Sequence, residues 1–91
     1  LMPITETVTR YYLRFTTIDK PGVLAKISGI LGDHHVSIAS VYQSEPIRSR
    51  RGVPILIVTH HAKEGNLINA IKKIDRLSVI KAKTIMIRIE E

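Results

Sequence analysis

The sequence predicts an α+β fold in which one four-stranded antiparallel sheet carries two helices on one face. Two segments alternate with a period of two, one is rich in β-branched residues and one is apolar almost throughout, as strands are, and two others show a helical period of about 3.6. These segments follow the order strand, helix, strand, strand, helix, strand. The chain has 91 residues, 44% of them hydrophobic, which suits a single domain with one core.

The first half of the chain supplies a strand and a helix. The strand is predicted over Tyr11–Ile18, where successive side chains alternate between two faces. Residues 1–10 contain Pro3 and several threonines and are interpreted as a linker that precedes the domain. The helix is predicted from one apolar stripe, made by Val23, Leu24, Ile27, Ile30 and Leu31.

The second half repeats the pattern of apolar segments. Strands are predicted at Val36–Gln43, Val53–His60 and Val79–Ile89, and Ser44–Gly52 is a polar, basic connection. Two right-handed crossovers then give the ferredoxin-like βαββαβ arrangement. The second helix has its own apolar stripe, made by Leu67, Ile68, Ile71, Ile74 and Leu77.

Composition bears on the cellular compartment and on membrane partners. No apolar run approaches the roughly 18–20 residues that a membrane-spanning helix requires, so no membrane partner is expected. The chain has no cysteine, which excludes disulfides and thiolate metal sites and favours a cytoplasmic protein.

The net charge of +6 raises the question of RNA binding. Recognition of RNA on such a sheet needs aromatic side chains on the central strands. The chain has one phenylalanine, three tyrosines and no tryptophan, and Phe15 is expected in the core. The clustered basic residues are Arg48, Arg50 and Arg51, in the polar connection. A solvated loop explains them, and no nucleic-acid partner is predicted.

Catalysis and metal binding find little support in the residues. The histidine pairs His34-His35 and His60-His61 have no acidic cluster beside them, and adjacent side chains point in different directions. No nucleophile with a base, phosphate loop or carboxylate pair is recognisable. We therefore predict no catalytic residue, metal ligand or cofactor in this segment.

The segment Asp19-Lys20-Pro21-Gly22 precedes the first helix and allows two interpretations. The N–H groups at a helix start are unpaired and attract a carboxylate, and glycine leaves room for a ligand to reach them. Asp19 would then accept hydrogen bonds from the ammonium group of an amino acid. In the other interpretation the segment is only a strand-to-helix turn, with Pro21 and Gly22 in the first helical turn and Asp19 as its cap.

The segment DKPGVLAKISGILGDHHVSIASV resembles the ACT domain, a regulatory module that binds amino acids, and the resemblance extends over Tyr11–Glu90. RYYLR, DKPGVLA, SIASVYQ, VPILIVTH and IRIE, in this order, resemble the C-terminal ACT domain of homoserine dehydrogenases. Residues 11–91 would then form the regulatory domain and residues 1–10 the linker from a catalytic region upstream.

The resemblance implies a homodimer joined through the second strands, with an amino-acid effector at the interface. One chain would contribute the turn, and the partner would contribute the start of its second strand. The family often has asparagine at the positions of Asp19 and Ser37, and glycine at that of His35. The effector-binding residues carried over by position are Asp19, Lys20, Pro21, Gly22, Val23 and Leu24, and from the partner Val36, Ser37, Ile38 and Ala39.

The resemblance also implies a parent enzyme. It would be an NAD(P)-dependent homoserine dehydrogenase of threonine and methionine biosynthesis, with threonine as feedback inhibitor acting on the catalytic domain of the same chain. Two alternatives remain open: a dimerisation module that binds no ligand, or the ACT domain of another enzyme of amino-acid metabolism.

Overall fold

The computed structural model describes residues 3–43 and 52–90. The predicted βαββαβ order is confirmed, with one short additional strand, β4. Residues 44–51, most of the predicted polar connection with its three arginines, lie outside the described residues. The elements are a 3-10 turn Ile4–Glu6, β1 Val8–Thr17, α1 Val23–Asp33, β2 Ile38–Gln43, β3 Val53–Thr59, β4 Ala62–Lys63, α2 Glu64–Asp75 and β5 Ile80–Ile89.

The sheet is antiparallel throughout and has β1 in its middle. β3 pairs with one edge of β1 and β5 with the other, while β2 pairs with β3. Strand β4 continues β3 along β1, because Tyr12 lies opposite Val58 and Thr9 lies opposite Ala62. From Tyr12 back to Thr9 the chain advances three residues on β1, whereas from Val58 to Ala62 it advances four on the partner side. The extra residue forms a β-bulge near His60.

Strand β1 begins at Val8, three residues before its predicted start, and ends at Thr17. Residues 8–10 therefore belong to the sheet, and the predicted linker over residues 1–10 is too long. The reason is the pairing of Val8 and Thr9 with β4. A two-residue strand has no periodicity by which the sequence could reveal it.

Strand β2 begins at Ile38 rather than at the predicted Val36. The Val36 N–H donates to the carbonyl of Leu31 at 2.9 Å, so this residue closes the end of α1 instead of joining the sheet. His35, before it, has a left-handed φ of 62°, a conformation that histidine tolerates better than a β-branched residue does.

The core lies between the sheet and both helices. The side chains of Tyr11, Leu13 and Phe15 on β1 are fully buried, which confirms that Phe15 is a core residue. The predicted apolar stripe of α1 packs in the core; on α2, Leu67, Ile71 and Ile74 do so, whereas Leu77 lies after the helix, which ends at Asp75. Buried residues from the other elements that meet there include Val23, Ile27, Leu31, Ile55, Ile57, Leu67, Ala70 and Ile74.

A buried carboxylate ties α2 to the sheet. Glu64, the first residue of α2, is 3% exposed and accepts a hydrogen bond from the Tyr11 hydroxyl at 2.9 Å. Arg88 on β5 donates to the same oxygen from Nη2 at 2.8 Å and from Nε at 3.1 Å. Burial, and then the Glu64 carboxylate, raises the pKa of Tyr11 to about 12.

This network should make stability depend on pH in the alkaline range. Because the folded state raises the pKa of Tyr11 from 10.0 to about 12, the contribution is complete below pH 10 and is lost as the pH rises through 12. We expect the free energy of unfolding to fall by on the order of 2 kcal/mol more in the wild type than in Tyr11→Phe across this range. Urea titrations at several pH values measure it, and parallel curves for the two proteins would contradict the assignment.

Candidate effector site

The turn between β1 and α1 depends on a left-handed glycine. Gly22 has φ 86° and ψ −4° and is the N-cap of α1, whose first helical residue is Val23. Pro21 and Gly22 therefore precede the helix, and their predicted place in its first turn is wrong. An L-residue at this φ is strained by about 1–2 kcal/mol, which accounts for glycine on backbone grounds.

The helix start offers N–H groups to a ligand. The first bond within the helix runs from the Lys26 N–H to the Gly22 carbonyl at 3.1 Å, so the N–H groups of Val23, Leu24 and Ala25 lie before it. No side chain caps this end of α1, so the turn interpretation is wrong in making Asp19 the cap. Asp19 is exposed instead. A β-carbon placed on Gly22 would meet no described atom within 4 Å.

A cleft of about 370 Å³ opens at this helix end. All six residues from Asp19 to Leu24 line it, as the sequence prediction groups them. The structure adds five residues that sequence reasoning missed, four from the strands and Ile18 directly after β1: Thr17, Ile18, Gln43, Val53 and Ile55. They reach the cleft through strand pairing, since Gln43 lies opposite Ile55.

The second predicted group, Val36, Ser37, Ile38 and Ala39, does not line this cleft. Ile38 pairs with Thr59, whereas Gln43, at the other end of β2, pairs with Ile55 beside the cleft. Helix α1, with 11 residues, is about 16 Å long and spans this separation. A single chain therefore does not bring the two groups together.

The cleft presents both signs of charge at its rim. Asp19 and Lys20 are exposed beside the helix N-terminus, which carries a partial positive charge. Val53 and Ile55 form an apolar wall. An amino acid matches this arrangement, because its carboxylate suits the N–H groups and its ammonium suits Asp19.

The histidine pairs do not assemble into a metal site. His34 Nδ1 lies 2.8 Å from the carbonyl of Ile30 at the end of α1, and His60 follows β3 at the other end of the sheet from the cleft. Among residues 3–43 and 52–90, no three His, Asp or Glu side chains group as metal ligands. No helix in these ranges is long and apolar enough to cross a bilayer.

Comparison with known proteins identifies the family. The family model of the ACT domain matches residues 11–76. The chain belongs to the ACT domain family. The ACT domain of a GTP pyrophosphokinase from Chlorobium tepidum shares the fold with a TM-score of 0.65 at 13% identity.

Two homoserine dehydrogenases are similar over essentially the whole chain. The one from Methylobacillus glycogenes is 42% identical over 91 residues, which are all of this chain and 22% of that protein. The structure of the one from Thiobacillus denitrificans matches with a TM-score of 0.86 at 37% identity. The match covers 99% of this ACT domain and 19% of that protein. This chain thus spans about a fifth of these homoserine dehydrogenases.

The backbone role of Gly22 can be tested against a helical glycine. Gly22→Ala should lower the free energy of unfolding by about 1–2 kcal/mol, because alanine is strained at φ 86°. Gly29 has open space at its β-carbon and no positive φ, so Gly29→Ala should raise it by up to about 1 kcal/mol through helix propensity. Denaturant unfolding of both variants measures the difference, and equal effects would refute a special backbone role.

Proposed function

We propose that this chain is the regulatory ACT domain of a homoserine dehydrogenase and that it binds threonine as feedback inhibitor. The observation that carries the proposal is the cleft at the start of α1, where unpaired N–H groups, an unobstructed glycine and the Asp19 carboxylate converge. Similarity to homoserine dehydrogenases along the whole chain supports the choice of parent enzyme.

The cleft can bind each part of threonine. The carboxylate accepts hydrogen bonds from the N–H groups of Val23 and Leu24, and the ammonium donates to Asp19. The methyl group lies against Val53 or Ile55. Gln43, at the cleft and exposed, is positioned to bond the hydroxyl, whereas the Thr17 hydroxyl already donates to the Ile18 carbonyl at 3.1 Å.

A second copy of the chain completes the site in this proposal. Among the described strands, β2 pairs only with β3, and its sequence IASVYQ has no charge or proline to protect its other edge. A twofold axis near Ser40 would pair two β2 strands antiparallel. It would set the partner's Ser37 opposite Gln43 and so bring the second predicted group to the cleft.

The catalytic chemistry belongs to the parent polypeptide. Its NAD(P) cofactor and catalytic residues would lie in a catalytic domain outside this chain, and the residues before β1 would form the connection. A cytoplasmic location accords with a chain that has no cysteine. Feedback then requires threonine binding here to alter that catalytic domain.

Comparison of aspartate with asparagine at position 22 distinguishes repulsion of the ligand from backbone strain. Asparagine and aspartate have nearly the same shape and tolerate a left-handed φ similarly, so Gly22→Asn and Gly22→Asp should unfold at similar denaturant concentrations. Both will crowd the ligand. Only aspartate places a negative charge near its carboxylate, and we expect Gly22→Asp to bind threonine about tenfold more weakly than Gly22→Asn.

Calorimetric titration of the 91-residue chain with threonine measures these affinities. Serine, isoleucine, methionine and lysine serve as competing effectors, and a tighter complex with one of them would reassign the ligand. Equal threonine affinity in the two variants would place the carboxylate elsewhere. Absence of binding by every amino acid would favour the dimerisation module without a ligand.

The interface is tested at Ala39, which lies at the irregular step of β2 between Ile38 and Ser40. Ala39→Lys should shift the dimer towards monomer at micromolar concentration, because the two lysines then lie diagonally opposite each other across the twofold axis. Asn69→Lys adds the same charge on an exposed position of α2 and should leave the dimer intact. Sedimentation velocity measures both, and a monomeric wild type would contradict the assembly.

A further inference from the structure

In the described part of the chain, the face of the sheet opposite the helices carries several partly or largely exposed apolar side chains. Its side chains follow from the strand register, since Tyr12 lies opposite Val58 and Ile87. Arg14 lies opposite Leu56 and Ile85 in the next row. We call the following seven residues the open face: Tyr12, Arg14, Tyr42, Leu56, Val58, Ile85 and Ile87.

Exposed apolar side chains concentrate there. Tyr42 is 58% exposed, Ile85 49% and Ile87 53%, and these are three of the six large hydrophobic residues most exposed in the described ranges. Ile85 and Ile87 are neighbours on one face of β5, and Tyr42 lies on β2 at the opposite edge, with Leu56, Val58 and Tyr12 between them on the same face. A single exposed apolar residue needs no explanation, but a set of them on one face of a sheet indicates a docking surface. A solvent-facing strand surface normally carries polar residues instead.

The charge of the open face indicates the occupant. Arg14 lies between Leu56 and Ile85 in its row, and none of the five strands contains an aspartate or glutamate. A second copy stacked face to face would bring another arginine and no carboxylate. A partner with apolar side chains and carboxylates would instead pair with the guanidinium.

RNA fits the same face less well. Stacking of bases requires neighbouring aromatic rings. Here Tyr12 is on β1 and Tyr42 is on β2, with the aliphatic residues of β3 between them. A protein surface is therefore the favoured occupant.

We propose that the open face docks on an apolar, carboxylate-bearing surface of the catalytic domain in the same polypeptide. The proposal rests on the proposed function, because the homoserine dehydrogenases that match this chain have about four-fifths of their length outside the match. Docking there would place the catalytic domain on the other side of the sheet from the effector cleft. On β3, Val53 and Ile55 line the cleft, while Leu56 belongs to the open face.

Thiol labelling tests whether the face is covered. The chain has no cysteine, so Ile87→Cys introduces its one thiol, and Lys72→Cys provides a matched thiol on the exposed side of α2. Each variant is prepared as the 91-residue chain and as a chimera that replaces the matching segment of the Methylobacillus glycogenes enzyme. Maleimide labelling of the relevant peptide is followed by mass spectrometry.

We expect Ile87→Cys to react about tenfold or more slowly in the chimera than in the 91-residue chain. Lys72→Cys should react at similar rates in both. Adding Arg14→Glu should restore fast labelling of Ile87→Cys in the chimera, whereas Arg14→Gln should do so less, because only glutamate repels a carboxylate surface.

Four results would overturn the proposal. The first is equal labelling rates of Ile87→Cys in the 91-residue chain and in the chimera, and the second is slower labelling of the 91-residue chain as its own concentration rises. The third is slower labelling of Ile87→Cys when single-stranded RNA is added at about 0.15 M salt. The fourth is equal labelling of Ile87→Cys in the Arg14→Glu and Arg14→Gln chimeras. Threonine inhibition of the chimera is measured separately. Protection in a chimera that ignores threonine would support docking while contradicting the proposed function.

Discussion

Strand β1 pairs along both of its edges, and the placement of the other elements depends on this strand. Its inward side chains, Tyr11, Leu13 and Phe15, form the centre of the core. Near its start, the Tyr11 hydroxyl donates a hydrogen bond to the buried Glu64, the first residue of α2, and so links that helix to the strand. Its end at Thr17 leads into the turn that starts α1. A shift of one residue in its pairing would turn the core residues towards solvent, so both the buried carboxylate and the cleft depend on the same register.

Gly22 satisfies a backbone requirement and, in the proposed site, a ligand requirement as well. The sequence left two interpretations, a turn or a carboxylate site, because both call for glycine before a helix. The left-handed φ of 86° accounts for the turn, and the same conformation leaves open space where a β-carbon would be. The interpretations therefore do not compete. Asp19 is what distinguishes the site from a simple capped turn, because its side chain is exposed at the cleft rather than bonded to the helix.

The sequence predicted elements well where periodicity extends over several residues. The stripes of α1 and α2 and the alternation in β1 and β5 identify the fold. Alternation alone does not say which face of β5 is buried: Ile85 and Ile87 face outward, because they pair with the outward residues Arg14 and Tyr12. Such a fact depends on register, as does the presence of Gln43 at the cleft. The residues of a single segment do not reveal its register, so neither the outward face of β5 nor the position of Gln43 could be predicted from them.

The architecture also restricts how a bound effector could act. The core is closely packed, with side chains of both helices fully buried against the sheet, and such interiors resist small continuous deformation. A ligand held between two chains, as proposed, would therefore change the angle between two rigid domains more readily than the shape of either one. Because each open face belongs to one of those domains, a small rotation at the β2 edge would displace both docking surfaces together. Strand β3 holds the cleft and the docking surface in a fixed relation. No conformational change inside the domain is then needed for one of them to influence the other.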